Sequence, residues 1–536
     1  MIRLQWQRIW SAPAASEGRL TTALAWRPDG KLLAAGDSSG LITVRHIEAA
    51  TPIHSQQLDS KVTCLTWLPC PKLSPEPEDQ DWDFLARLPS LSKTYSYVGP
   101  GGQEEVEDCR KLHTGQELTV LLAGTEGGHV YVLVNGFLLV MCLQPTDLGG
   151  GVGGAVEHLA MTEDSKYISA VVGQRLLLLS CPLLATCMPE LAVLSSKFSL
   201  VQGILQYTTE TIRQIREAWE TILLEMDTKL TSYAEKNEPG TVAADFLELL
   251  LFGVPSPQLE TFLHKDMTEK GLKKLGQSIE LSYSNIQRLV LRYLGAVSQS
   301  LNFHLGEMVG LARAGDKYPV LGVTETVVEK ALYQAQAFWA KGVELQQVID
   351  ESMKNFKAFF RWVYVEILKL SEETVSGDLS KVSQQDITFI AEFLKRFQPV
   401  ESTGGSVSHL YLEKVGQYLE DAPLVQPPDN SANPWHQLLE KHPEIQEVPF
   451  IIPINTGTSL VQEHAKLEAA VSQVGIFRFL LRALYVTNRH LAQSNSTSLF
   501  LSMLCLATYI SPPQGIHRVR KRPWWPDTAA QKSSCF

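Results

Sequence analysis

The spacing of apolar residues changes near residue 200, and this change most constrains what the chain can fold into. Before that point, short apolar runs alternate with turn residues, a pattern typical of β-strands. After it, apolar residues recur at spacings of three and four over long stretches, which is typical of amphipathic α-helices. The sequence therefore predicts a multidomain β plus α protein.

Two elements of the β-rich part occur more than once. A strand–turn–strand unit around Gly36 returns 88 positions later around Gly124, and Thr22–Pro28 resembles Val62–Pro69 at an offset of 41. A weaker copy of the second element begins at His158. A period near 41 with short strands is the signature of β-propeller blades, which stack because one blade cannot cover its own two faces. Chance similarity among apolar strands is the alternative.

The predicted organisation has four parts. Residues 1–200 form propeller blades, with a polar insertion at 70–117 between strands of one blade. Residues 203–398 form a long antiparallel helical bundle, residues 399–484 a linker with further helices, and residues 485–536 a divergent, poorly ordered tail. About 200 residues suffice for four to five blades, so we expect an incomplete propeller.

Four helical runs are predicted in the bundle. The third extends from about Thr326 to Glu372, would be about 70 Å long if unbroken, and has Gly342 as a candidate bend. The fourth begins with Asp386 as its N-cap. The first two runs place the following residues on one face each: Ile212, Ile215, Trp219, Ile222 and Met226; and Leu272, Leu275, Ile279, Tyr283, Ile286, Val290, Tyr293 and Val297.

Composition excludes several classes of function. The net charge of −11 argues against a general nucleic-acid-binding surface. The eight cysteines form no C-x-x-C pair and lie beside no histidines at zinc spacing, so we expect reduced thiols and no metal site. Neither a secretory signal nor a run of about 20 apolar residues is found, so we expect a soluble intracellular protein without membrane binding.

Enzymatic motifs are scarce. Gly149, Gly151 and Gly154 satisfy G-x-G-x-x-G, with Asp164 ten residues on, but a dinucleotide site needs a helix after the glycines, and a strand follows here. We therefore predict a loop between blades, with a nucleotide-dependent enzyme as the alternative. His409, His436 and His442 are interpreted as surface imidazoles. We expect no catalytic residues, no cofactor and no small-molecule substrate.

One helical face is a candidate for docking a partner. The aromatic stripe Phe356, Phe359, Phe360 and Val363 is predicted to lie in the bundle core. Lys354, Lys357 and Arg361 flank this stripe, so they would face solvent or a partner protein. The basic run at 518–522 is a candidate nuclear import signal.

Four strings in order resemble a known family. They are Thr22–Leu33, Lys270–Glu280, Ile349–Trp362 and Gln385–Leu394, and together they are similar to the subunit 4 family of the anaphase-promoting complex, or cyclosome. The resemblance covers about residues 20 to 470. It implies a WD-repeat propeller with a long helical bundle inserted into it.

The resemblance also implies a function. Members of this family are non-catalytic scaffold subunits in the platform of a RING-type ubiquitin ligase that drives degradation of mitotic regulators. They contact subunits 1 and 5 and lie near the cullin-like subunit 2, in the nucleus mainly and also in the cytoplasm. The chain departs from the family at both ends, and we expect a truncated or alternatively spliced form. The alternative function is a propeller–helix adaptor in vesicle coating or membrane transport.

Overall fold

The computed structural model describes the greater part of residues 19–490. The described ranges are 19–47, 52–70, 88, 118–144, 154–173, 175–234, 241–314, 317–371, 382–394, 414–425, 434–446, 455–474 and 487–490.

Twelve strands in these ranges form three four-stranded antiparallel sheets. Each sheet keeps the chain order of its strands: β1-β2-β3-β4, β5-β6-β7-β8, and β9-β10-β11-β12. The bounds are β1 Thr21–Trp26, β2 Leu32–Asp37, β3 Leu41–His46, β4 Pro52–Gln57, β5 Val62–Pro69, β6 Thr119–Thr125, β7 Val130–Val134, β8 Leu138–Leu143, β9 Val156–Met161, β10 Tyr167–Val172, β11 Arg175–Ser180 and β12 Thr487–His490. The sheets stack in order as blades, and within the described residues they do not close into a ring.

The repeated sequence elements make the joints between successive blades. Thr22 donates its hydroxyl hydrogen bond to the carbonyl of Val62 at 2.6 Å, and Thr63 donates in the same way to Val156 at 2.5 Å. A Cβ on Gly36 would lie 2.5 Å from Val62 Cγ1, and one on Gly124 would lie 2.6 Å from Val156 Cγ1. The two glycines recur because each lets the first strand of the next blade approach closely.

The first turn shows why the strand–turn–strand unit repeats. Asp37 Oδ1 accepts hydrogen bonds from the amides of Ser39 at 2.8 Å and Leu41 at 2.9 Å. Gly40 has a φ of +86°, a left-handed conformation that glycine adopts without strain. Gly128 has the same role in the second blade, with a φ of +82°.

Among the described residues before the helical part are two complete sheets and three strands of a third, fewer than the four to five blades expected from length. The predicted insertion separates β5 from β6, which are paired neighbours in the second sheet. Of that insertion only Cys70 and Leu88 are described, and both are buried. The chain becomes helical after Ser180, and the insertion at 70–117 takes up many of the residues before that point. Fewer residues therefore remain for blades than the range 1–200 suggests.

Helices follow the eleventh strand directly. Their bounds are α1 Pro182–Thr186, α2 Met188–Ala234, α3 Thr241–Phe252, α4 Pro257–Thr261, α5 Glu269–Arg288, α6 Gly295–Arg313, α7 Lys317–Val320, α8 Glu325–Leu370, α9 Gln384–Leu394, α10 Pro434–Lys441, α11 Pro443–Gln446 and α12 Leu460–Val474. Single π-helical turns follow α4 (Phe262–Asp266) and α5 (Leu289–Leu294). The predicted boundaries at 200 and 203 therefore lie inside α2. Pro182 and Pro189 do not delay the helices, because proline is tolerated in a first helical turn.

The last described strand completes the third sheet. Leu177 of β11 pairs with Asn488 of β12, and Arg175 pairs with His490, in antiparallel register. Residues 487–490, within the predicted tail, are therefore a strand of the third sheet. The helical part is inserted between the third and fourth strands of one blade, which agrees with the inserted bundle that the family resemblance implies.

The helices pack around a shared apolar core. Helix α8 is helical from end to end through Gly342, and its 46 residues span about 69 Å. It lies antiparallel to α5, since Glu280 pairs with Lys357 and Glu269 with Tyr364. The predicted α5 face is confirmed, with Leu272, Ile279, Tyr283 and Ile286 buried. On α2, Ile212, Ile215, Trp219 and Ile222 are buried as predicted.

The start of α9 differs from the prediction. Ser383 lies before the helix, and its hydroxyl accepts the Asp386 amide at 3.1 Å, while the Asp386 carboxylate accepts the Ser383 amide at 3.0 Å. This reciprocal pair is a capping box, so Ser383 is the N-cap and Asp386 the third helical residue. Ile387 is 45% exposed, whereas Ile390, Phe393 and Leu394 are buried.

Part of the predicted linker belongs to the core. A short 3-10 turn at Gly416–Leu419 buries Val415, Tyr418 and Leu419. The Tyr418 hydroxyl donates to Glu344 of α8 at 2.6 Å, and the Arg216 Nε of α2 donates to the Leu419 carbonyl at 3.1 Å. The short i, i+3, i+4 apolar pattern there could have indicated this contact among the surrounding Pro and Gly residues.

Candidate interaction surfaces

The aromatic stripe of α8 lies in the core, as predicted. The Phe356 and Phe360 rings stack at 4.2 Å, and Phe359 stacks on Phe393 of α9 at 4.3 Å. Phe359 also meets Phe246 of α3 edge-to-face at 5.3 Å. These rings join α3, α8 and α9, so the opposite face of α8 points outward.

The outward face of α8 presents the three predicted cations between α5 and α9. Lys354, Lys357 and Arg361 are all exposed. The Lys357 ammonium lies 2.7 Å from the Glu280 carboxylate, and both side chains are about half exposed. Arg361 lies beside Asp386 in a small pocket that also includes Trp362 and Ile390. Lys357 and Arg361 thus contribute to contacts within the chain, and Lys354 has no ion-pair partner in the described part of the chain.

Asp386 shows the electrostatic effect of this arrangement. Its hydrogen bonds with Ser383 are the main cause that lowers its pKa, and the Arg361 charge adds to the shift. The carboxylate therefore stays ionised near neutral pH, beside Arg361 of α8. The predicted docking face remains a prediction. Lys354 has no ion-pair partner in the described ranges, whereas Lys357 and Arg361 lie at the contacts of α8 with α5 and α9.

A second surface lies where the sheets meet the helices. Asn135 Nδ2 donates to Ser195 Oγ of α2 at 2.9 Å, and the Gln206 side chain donates to the Ile53 carbonyl on the edge strand β4. Between these contacts is a cleft of about 490 Å³, lined by β4, Phe137, Leu139, Phe198, Gln202, Gln206 and Ser472. The two parts of the protein therefore also meet at polar contacts around an open groove.

His54 lies in this cleft. Its ring meets Phe137 edge-to-face at 6.2 Å, and its Nε2 atom is buried without a hydrogen-bond partner. Burial lowers the pKa of His54 to about 4, because the surroundings disfavour the charged imidazolium. No sequence pattern indicates this histidine, because the partial burial of its ring depends on helical residues more than a hundred positions away.

A third surface is the outer face of the first sheet. Leu24 and Trp26 of β1 are 60% and 53% exposed, and Leu20 just before the strand is 72% exposed. The inner face of the same sheet buries Ala25, Leu32 and Ala34 against the second sheet. The outer face therefore has the apolar character of a blade face without a neighbouring blade among the described residues.

The cysteines and the residue types that bind metals are two further candidates for chemical function. Burial raises the pKa of Cys64, Cys70 and Cys181 to about 11 each, so these thiols stay protonated near neutral pH and are poor nucleophiles. No group of three or more His, Cys, Asp or Glu side chains suited to a metal ion occurs in the described ranges.

The glycine loop and the linker histidines are partly outside the described residues. Gly154 is followed by β9 and not by a helix, while Gly149 and Gly151 lie outside the described ranges. Asp164 accepts hydrogen bonds from Thr162 and Lys166 in the β9–β10 turn. This context excludes the strand–loop–helix arrangement of a dinucleotide site.

His442 is exposed and lies 3.3 Å from Glu444, as expected of a surface imidazole. His409, the basic run at 518–522, and the side chain of His436 lie outside what the structure describes.

No single helix within the described ranges is long and apolar enough to cross a membrane. Only the pair Val242–Phe252 and Pro257–Asp266, bent by 95°, meets the length and composition criteria when taken together.

Comparisons with known proteins agree along most of the chain. A model of anaphase-promoting complex, cyclosome, subunit 4 matches residues 175–373, and a model of the WD40 domain of the same subunit matches residues 1–69. Anaphase-promoting complex subunit 4 from Homo sapiens, Pongo abelii and Mus musculus is in each case 36% identical over 488 residues, or 87% of this chain. The chain belongs to the anaphase-promoting complex subunit 4 family.

The family match agrees with the fold. The WD40 model covers the first sheet and β5, and the second model begins at β11 and ends just beyond α8. The chain spans 59% to 60% of the length of the three curated subunit 4 relatives.

Two solved structures overlap with about a third of the chain, at TM-scores too low to bear on its fold. The Cps50 (Swd1) β-propeller domain of Myceliophteria thermophila covers 30% of this chain and 54% of its own at 10% identity, but with a TM-score of 0.15. A computationally designed protein, Ika4, covers 33% and 74% at 14% identity with a TM-score of 0.19.

Proposed function

We propose that this chain is a non-catalytic scaffold subunit in the platform of the anaphase-promoting complex. It would contact subunits 1 and 5 and lie near the cullin-like subunit 2, in a RING-type ubiquitin ligase that directs mitotic regulators to degradation. The catalytic module of such a ligase would be supplied by other subunits. The protein would be mainly nuclear and also cytoplasmic.

The observation that carries this proposal is the continuous match to subunit 4, 36% identical over 488 residues that include both blades and helices. The geometry supports it. One buried apolar cluster extends from the second and third sheets through α2, α6 and α8, so blades and helices form one continuous body. A body of this kind presents separate surfaces in fixed relation, which is what a platform requires. Burial keeps Cys64, Cys70 and Cys181 protonated and the glycine loop precedes a strand, and neither feature favours an enzyme.

Affinity purification tests the proposal. The tagged chain is expressed in dividing cells, and co-purifying proteins are identified by mass spectrometry, with a full-length family member as positive control and the tag alone as negative control. We expect the platform subunits of the complex, including subunits 1 and 5, at well above the tag-only level. Recovery of vesicle-coat or trafficking proteins in their place would contradict the proposal and favour the adaptor alternative. Recovery of chaperones alone would also contradict it.

A further inference from the structure

The exposed side of α5 carries a row of cations without matching acids. Lys270, Lys273 and Lys274 are exposed, and none has an ion-pair or hydrogen-bond partner from its side chain in the described part of the chain. Arg288, at the other end of the helix, is also exposed and touches only the side-chain amide of Asn285, at 3.1 Å. From Lys270 to Arg288 this row spans roughly 27 Å, at 1.5 Å per residue.

The acids of α5 are both engaged on the side that faces α8. Glu269 accepts the Tyr364 hydroxyl at 3.1 Å, and Glu280 lies 2.7 Å from Lys357. Lys354, one turn before Lys357, borders the same row from α8. The two helices therefore combine into one cationic surface, in a protein whose net charge is −11.

Two leucines lie among these cations. Leu281 of α5 and Leu291 of the following π-helical turn are each 58% exposed, although the opposite side of the same segment buries Ile279, Tyr283 and Val290. Exposed leucines between cations suit a partner segment that combines carboxylates with a few apolar side chains. We call the set Lys270, Lys273, Lys274, Leu281, Arg288, Leu291 and Lys354 the α5 face.

We propose that the α5 face docks an acidic segment of another protein subunit, with carboxylates opposite its lysines and apolar side chains over Leu281 and Leu291. This proposal rests on the proposed scaffold function and specifies one of its surfaces. A long polyanion such as nucleic acid, or an anionic membrane, would be repelled by the acidic remainder of the protein. A short segment responds to the local face, because charges beyond about 8 Å are screened at physiological salt.

Zero-length cross-linking locates the occupant. The complex purified through the full-length tagged chain is treated with a carbodiimide, which couples lysine amines directly to carboxylates. We expect Lys270, Lys273, Lys274 and Lys354 to couple to Asp or Glu side chains clustered in one segment of one neighbouring subunit. Assembly of the complex without any such coupling to another protein would overturn the proposal while leaving the scaffold function intact.

Charge reversal then tests whether the contact contributes to binding. The variant Lys270→Glu/Lys273→Glu/Lys274→Glu should lower recovery of the cross-linked subunit by about tenfold or more at physiological salt. The matched control Lys61→Glu/Lys330→Glu/Lys441→Glu makes the same change of charge at three exposed lysines elsewhere and should leave recovery unchanged. Reversing the cross-linked acids to lysine should restore binding of the first variant. Circular dichroism verifies that both variants fold.

The other outcomes are also decisive. Equal recovery of the subunit with both variants overturns the proposal. It is also overturned if the α5 variant recovers the same subunits as the wild type but no longer binds phosphatidylserine vesicles or RNA that the wild type binds. If the wild-type chain recovers no subunits at all, the proposed scaffold function fails and this proposal fails with it.

Discussion

The helical part and the stacked sheets bury apolar residues in different ways. In the helical part, every long helix packs its apolar stripe against other helices, and the stripe of α8 is covered by α3, α6, α9 and α12. In the sheets, each blade needs a neighbour, and the first blade leaves Leu24 and Trp26 exposed. The helices thus cover one another's apolar faces with residues that come largely from one stretch of the chain. The blades depend on joints between separate repeats and on β12, which comes from beyond the whole helical part.

The largest effect is expected in the helical core. Phe359 is 1% exposed and stacks on Phe393, so Phe359→Ala should lower the free energy of unfolding by about 3–5 kcal/mol. Phe252→Ala is the matched control, because Phe252 is 73% exposed, and it should change the free energy by no more than about 0.5 kcal/mol. Urea unfolding followed by circular dichroism measures both. Equal effects would show that α8 and α9 do not pack as described.

The junction between the two parts should respond to pH through His54. Its pKa is about 4 in the folded protein, against 6.5 when unperturbed, so between these values the unfolded chain binds more protons. The free energy of unfolding should therefore fall as the pH drops from 6.5 to 4, by up to about 3 kcal/mol from this residue. In urea titrations across this range, His54→Gln should show a shallower pH dependence than the wild type. His442→Gln, at an exposed site, should follow the wild type, and identical slopes for all three would contradict the burial of His54.

The same substitution should have opposite signs in the two parts. Gly124→Ala places a Cβ 2.6 Å from Val156 Cγ1 and should destabilise the blade joint by about 1–3 kcal/mol. Gly276→Ala lies in α5 with nothing within 4 Å of the new Cβ, and should stabilise by about 0.4–1 kcal/mol. Thermal unfolding measures the difference. A neutral Gly124→Ala would mean that the joint is looser than the sheets indicate.

The smallest effect concerns the capping box of α9. Ser383→Ala removes the hydroxyl that accepts the Asp386 amide and should cost about 1 kcal/mol. Phe393 of α9 packs on Phe359 of α8. In the alanine variant, amide hydrogen exchange should therefore become faster in Ile387–Leu394 of α9, with a smaller increase in α8. Ser383→Thr, which keeps the hydroxyl, should restore most of the protection. Exchange unaffected by the alanine variant would contradict the assigned cap.

Local patterns predicted much of this fold. The repeats around Gly36 and Gly124 predicted the strands and the blades, and the two glycines recur because a close contact between blades demands the same small residue each time. The three- and four-residue spacings predicted the buried faces of α2, α5 and α8, because burial on a helix follows its period. The family resemblance predicted the inserted bundle and the family itself.

Features that depend on distant residues escaped prediction. The β11–β12 pairing joins residues separated by the entire helical part, and Tyr418 is buried only because Glu344 and Arg216 lie beside its turn. The partners of Lys357 and Arg361 also come from other helices, so the sequence of α8 alone could not show which helices border the predicted docking face. Capping at Ser383 was overlooked because a carboxylate three residues later also resembles an N-cap.

Hydrogen exchange of the chain alone and within the purified complex tests the central claim, that the helical core forms within this chain and that the protein assembles through its surfaces. We predict that Val348–Val363 of α8 is strongly protected in both states, and that α5 from Lys270 to Arg288 gains protection only in the complex. No gain of protection at any surface segment would contradict the scaffold role. Protection of α8 only after assembly would contradict the claim that the helices complete their own core.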